Sequence, residues 1–99
     1  MKMSRIEPLI TPFVNMNGTS PKQLVEGYRE AYTALREAIK KLLEVYPHGR
    51  DYQQTPEQVA FYPIAQRQHD ERLKKLREIE EDMVALAIHV QDEQDRRRS

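Results

Sequence analysis

The sequence predicts an all-α protein: an antiparallel helical hairpin with an extended N-terminal arm, assembled as a homo-oligomer. Three observations lead there. Two helix-start boxes of one design occur, Ser20-Pro21-Lys22-Gln23 and Thr55-Pro56-Glu57-Gln58. A stripe of apolar residues at alternating three- and four-residue steps follows each box. Together with the arm, those stripes carry more apolar surface than two helices can bury against each other.

Residues 1–18 form the arm and residues 19–99 the hairpin domain. The arm carries Ile6, Leu9, Ile10, Phe13, Val14 and Met16, interrupted by Pro8 and Pro12, which favour an extended path over a helix. The first helix is expected over about 21–46. Ser20 can cap it by accepting a bond from a free N–H of the first turn, and Gln23 can reach back to the cap's own N–H. Pro21 loses nothing at the first helical position, where its missing N–H would have had no partner. Leu24, Tyr28, Ala31, Leu35, Ala38, Leu42 and Val45 then advance with the 3.5-residue period of a helix packed on a helix. Val25, Tyr32, Ile39, Leu43 and Tyr46 widen the stripe. Tyr46-Pro47 stops the helix, and Gly49 supplies permissive backbone beyond it.

The second box opens at Thr55. Pro63 conflicts with a continuous helix, because an interior proline removes a hydrogen bond and clashes with the preceding turn at a cost of roughly 3 kcal/mol. The expectation is a short helix over about 56–62, a kink or break, and a long helix over about 64–94. Leu76, Ile79, Met83, Leu86 and Val90 repeat the period there, widened by Leu73, Val84, Ala87 and Ile88. Arg67–Glu71, Asp70–Lys74, Glu71–Lys75 and Arg77–Glu81 stand four apart and mark a solvated face. Roughly nine residues link the helices, near the upper end of ordinary helix–helix connections.

Composition narrows the functional classes. Ninety-nine residues make one domain, burying about two-thirds of the unfolded surface, so a monomer would be marginal. The sixteen basic residues balance sixteen acidic ones, which argues against duplex nucleic acid, whose binding depends on neutralising many phosphates. With no cysteine there is neither a disulfide framework nor a thiolate zinc site. The three glycines, Gly18, Gly27 and Gly49, cannot build a phosphate loop. The longest apolar stretch is too short for a bilayer, and the first residues lack a signal pattern, so a cytoplasmic protein with no membrane partner is expected.

Candidate chemistry is sparse. His89, with Asp82, Asp92 and Glu93 near it on the helix, has no recognised metal-ligand spacing. His69 falls on the apolar stripe between Ala65 and Leu73 and reads as a hydrogen-bonded interface residue. No catalytic constellation stands out, and neither an enzyme nor a cofactor is expected. The run Arg96-Arg97-Arg98 reads as a solvated, frayed terminus. The linker Pro47-His48-Gly49-Arg50-Asp51-Tyr52 concentrates functional residue types. Arg50 can fork onto a phosphate or carboxylate, Tyr52 can stack on a base, and Gly49 lets backbone N–H groups approach an anion. His48 adds a titratable ring, and Lys40 and Lys41 are nearby cations. As a turn, the same residues simply end a helix and cover the core.

This loop, within Leu24 to Gln91, resembles small helical proteins of tailed phages and prophages. A second, architectural resemblance is to phage anti-CBASS and anti-Thoeris sponges, helical-hairpin oligomers that sequester cyclic nucleotide signals without cleaving them. Arg50-Asp51 matches the arginine-acid pair of their turn, while the tryptophan-free second helix departs from theirs. These resemblances imply a non-enzymatic phage accessory protein in the host cytoplasm. It would counter host immunity by binding a small anionic nucleotide at Arg50, Tyr52, His48, Gly49, Lys40 and Lys41. The alternative is an inhibitor or adaptor that docks a host or virion protein through its apolar arm and the Pro63 region.

Overall fold

A computed structural model describes residues 7–15 and 17–98; Ile6 and Met16 of the arm lie outside the described residues. Two helices, α1 (Pro21–Glu44) and α2 (Pro56–Arg98), are joined by a linker containing a 3₁₀ turn at Gly49–Tyr52. No strand occurs among the described residues.

Both start boxes form. Ser20 Oγ accepts the Gln23 N–H at 3.1 Å, and Thr55 Oγ1 accepts the Gln58 N–H at 3.2 Å. The cap carbonyls take the first intrahelical bonds, from Leu24 and Val59, each at 3.0 Å. The glutamines differ from the expectation. Gln58 Oε1 accepts the N–H of Gln54, one residue before the cap, at 3.0 Å, while Gln23 Oε1 takes the Ser20 hydroxyl at 3.2 Å. Each still ties the incoming chain to the first turn.

The chain divides into two compact units, Thr33–Glu80 and Met1–Tyr32 with Glu81–Ser99. In the first, the helices run antiparallel. Tyr46 meets Asp70 and Arg36 meets Glu80, so ten residues back along α1 match ten forward along α2. Ile39 and Leu73 are buried there, with His69 beside them. In the second unit Val14, Leu86 and Val90 are buried, Val90 completely. Arg97 donates to the Val14 carbonyl at 2.7 Å, so this terminal arginine holds the N-terminal segment instead of fraying into solvent. Arg96 pairs with Glu93 at 2.7 Å. Asn15 turns the chain toward α1: its side-chain oxygen accepts the Asn17 N–H at 2.9 Å, the local bonding that suits asparagine to turns.

The structure corrects four expectations. Pro63 neither breaks α2 nor ends a short helix; the helix is continuous from Pro56 to Arg98. The bond Pro63 forgoes would reach the carbonyl of Val59, and both residues are exposed, so water can satisfy that oxygen. Val45 is exposed and Tyr46 takes its place, because α1 ends at Glu44 and the last turn tightens, with Val45 N–H to Leu42 O and Tyr46 N–H to Leu43 O. Leu43, Ile79, Val84 and Ile88 are exposed too. Glu80 is the more covered residue beside Ile79, its carboxylate 3.8 Å from Arg36. Gly49 adopts no positive φ and opens the 3₁₀ turn, a conformation that any residue can take.

Candidate functional site

Where α1 ends, three carbonyl and ring contacts converge. The Leu42 carbonyl accepts the Val45 N–H at 3.2 Å and also lies 2.7 Å from His69 Nε2. A carbonyl only accepts, so Nε2 carries the proton. The other ring nitrogen, Nδ1, lies 3.3 Å from the Arg72 guanidinium, which only donates. The two contacts agree on one tautomer, and they account for a histidine that is 95% buried, the complement of its 5% exposure. Tyr46 packs edge-on against the same ring, centroids 5.4 Å apart, and donates its hydroxyl to Asp70 Oδ1 at 2.9 Å. That hydrogen bond, with desolvation and the Asp70 charge behind it, raises the Tyr46 phenol above its ordinary value of 10.0.

The linker closes over this cluster. Tyr52 stacks on Tyr62 of α2, centroids 5.7 Å apart with the planes 28° from parallel. The 3₁₀ turn is shut by Asp51 N–H to His48 O at 3.0 Å. Between linker and helices lies an open cleft of about 420 Å³.

The sequence-predicted residues divide around it. His48 and Tyr52 line the cleft, whereas Arg50, Lys40 and Lys41 do not. Arg50 is exposed in the turn, and Lys41 is drawn 3.9 Å from Glu44 of its own helix. Gly49 sits against the Tyr62 ring, where an added Cβ would make ordinary contact at 3.5 Å, so this position does not demand glycine. Two further groups that the sequence did not single out line the cleft. Arg72 brings a guanidinium to the cleft lining, and Glu44 joins Asp51 as a second lining carboxylate. Arg72 could have been found: it stands three residues from His69, hence on the same helix face.

The cleft offers aromatic faces, two carboxylates and a guanidinium already engaged by His69. Such a set favours stacking and hydrogen bonding over neutralising a phosphate. Among the described residues no cluster of three or more His, Asp or Glu could hold a metal ion. No described helix is long and apolar enough to cross a membrane.

The fold and cleft define a two-helix hairpin protein with a polar cleft at the loop end. No known protein family, curated protein or solved structure matches the chain.

Proposed function

We propose that this chain is a non-enzymatic binding module that works through protein contacts: a homo-oligomer whose exposed apolar surface also docks a protein partner. One observation carries the reading. Among the described residues, ten large hydrophobic side chains are exposed and five hydrophobic residues are buried, most of the rest being partly covered, so a sizeable share of the apolar side chains faces solvent. Soluble monomers expose few large hydrophobic side chains together, and those that gather into patches mark contact surfaces. Phe13, at 86% exposure, and Phe61, at 55%, are the aromatic members, the type of side chain that dominates interface energetics. If the chain is phage-encoded, as its resemblances imply, such a module would counter host defence by occupying a host or virion protein.

The test places charge on this surface. Val45→Lys and Phe61→Lys should reduce assembly mass in light scattering without lowering helicity, because neither side chain is buried in the protomer. Unchanged assembly in both variants would overturn the reading.

A second reading, sequestration of a small anionic nucleotide, is favoured by one feature. His48, Tyr52 and Arg72 gather at a single cleft, whose size falls in the small-molecule range of roughly 300–1,000 Å³. Glu44 and Asp51 in the same lining oppose an anion. A thermal-shift screen against cyclic di- and trinucleotides decides it. Stabilisation that is lost in Arg72→Ala supports the sponge, and no shift with any of them refutes it.

A further inference from the structure

Within the unit formed by Met1–Tyr32 and Glu81–Ser99, one face of the helix pair carries a second, apolar groove of about 250 Å³. Tyr28 and Tyr32 of α1 line it together with Met83, Val84, Ala87 and Ile88 of α2. Arg29, an exposed residue, also lines it. The volume falls below the ~300 Å³ at which small-molecule sites begin, and it suits one or two side chains.

The same unit carries apolar side chains with nothing to fill. Phe13 and Ile10 are 86% and 76% exposed, the two most exposed large hydrophobics described. They do not occupy their own groove. Val14, next to Phe13, is buried with its carbonyl held by Arg97, while Phe13 is directed to solvent. Arg97 is nine residues beyond Ile88, ~13 Å along the helix at 1.5 Å per residue. Pro12 stiffens the short chain between Ile10 and Phe13.

Charge points the same way. Glu7 lies just ahead of Ile10 on the same segment, and Arg29 lines the groove. Among the described residues neither has an ionic partner in its own chain. A segment that inserted Ile10 and Phe13 into the groove would bring the Glu7 carboxylate toward the Arg29 guanidinium.

We infer that the groove receives the Glu7–Phe13 segment of a second copy of this chain, reciprocally, so that two protomers exchange N-terminal segments across a two-fold axis. The exchange satisfies in one contact the exposed knobs, the empty groove and both charges. Each copy offers both knob and groove, and when the exchange is reciprocal the contact closes at two. The inference rests on the self-association proposed above and specifies its contact.

The chain has no cysteine, which makes a direct test available. Phe13→Cys and Ile88→Cys proteins of different tagged length are mixed and oxidised. The expected product is a disulfide-linked dimer containing one of each, in excess over either self-linked species. In parallel, Phe13→Asp should weaken dimerisation by at least ~10-fold, as loss of an interface anchor does. Arg29→Glu should weaken it too, and adding Glu7→Arg should restore it. If the wild-type chain assembles yet the mixed cross-link does not form and Phe13→Asp changes nothing, segment exchange is wrong and self-association stands. A monomeric wild-type chain overturns both.

Discussion

His69 Nε2 donates to the main-chain carbonyl of Leu42 at 2.7 Å, joining the last turn of α1 to α2 through a side chain buried at the helix–helix contact. This bond places a polar group where the apolar stripe would otherwise continue. At fixed protein concentration, His69→Ala should cost about 2 kcal/mol in urea denaturation, from a lost buried hydrogen bond and lost packing. Arg72→Ala, at an exposed residue, should cost about 0.5 kcal/mol. Equal losses would mean that the guanidinium, and not the Leu42 carbonyl, is the important partner.

The caps give a second measurement. Ser20→Ala and Thr55→Ala should each lower stability by about 1 kcal/mol, since each removes the acceptor for a first-turn N–H. Ser20→Asp should keep most of it, because its carboxylate accepts the same bond. Alanine variants as stable as the wild type would contradict the geometry at Gln23 and Gln58.

Pro63 should be a liability that the continuous helix tolerates. Pro63→Ala restores the bond to the Val59 carbonyl and removes the ring clash, so stability should rise by up to about 3 kcal/mol. Were α2 broken at Pro63, the alanine would bring little gain and would add helical signal in circular dichroism.

Tyr46 sets an alkaline dependence. Its phenol is raised above 10.0, first by the hydrogen bond to Asp70. A group with a raised folded value contributes stability that is present in full below its unfolded value. That contribution disappears as pH rises through the folded value. Stability at neutral pH should therefore include the Tyr46–Asp70 contact, and it should fall in alkali above the ordinary tyrosine range. Tyr46→Phe should remove that part of the fall. Ultraviolet difference absorbance should show that Tyr46→Phe removes phenolate signal from the late part of the titration, and its removal from the early part would contradict the assignment.

The helices were legible because their signals are local. A hydroxyl, a proline and a glutamine at fixed spacing specify a start whatever the rest of the chain does. His69 was legible too, since a lone polar residue on an apolar stripe needs a buried partner. Pro63 was not. Whether proline breaks a helix depends on whether water can reach the freed carbonyl, which neighbouring elements decide. The site was half legible. His48 and Tyr52 stand in the cleft, but a turn of four residues can aim Arg50 either way, and it aims outward. Arg72 entered through tertiary pairing of α2 with α1. Arg97 looked like part of a terminal basic run, and only the fold places Val14 within its reach.

The most direct test of the central claim is the mass of the wild-type chain by sedimentation equilibrium, from low micromolar concentration upward. One protomer is 11.7 kDa. Exposed apolar residues that outnumber buried ones predict a whole-number multiple of that mass, with dissociation only on dilution. A single species at the protomer mass throughout the range would contradict it.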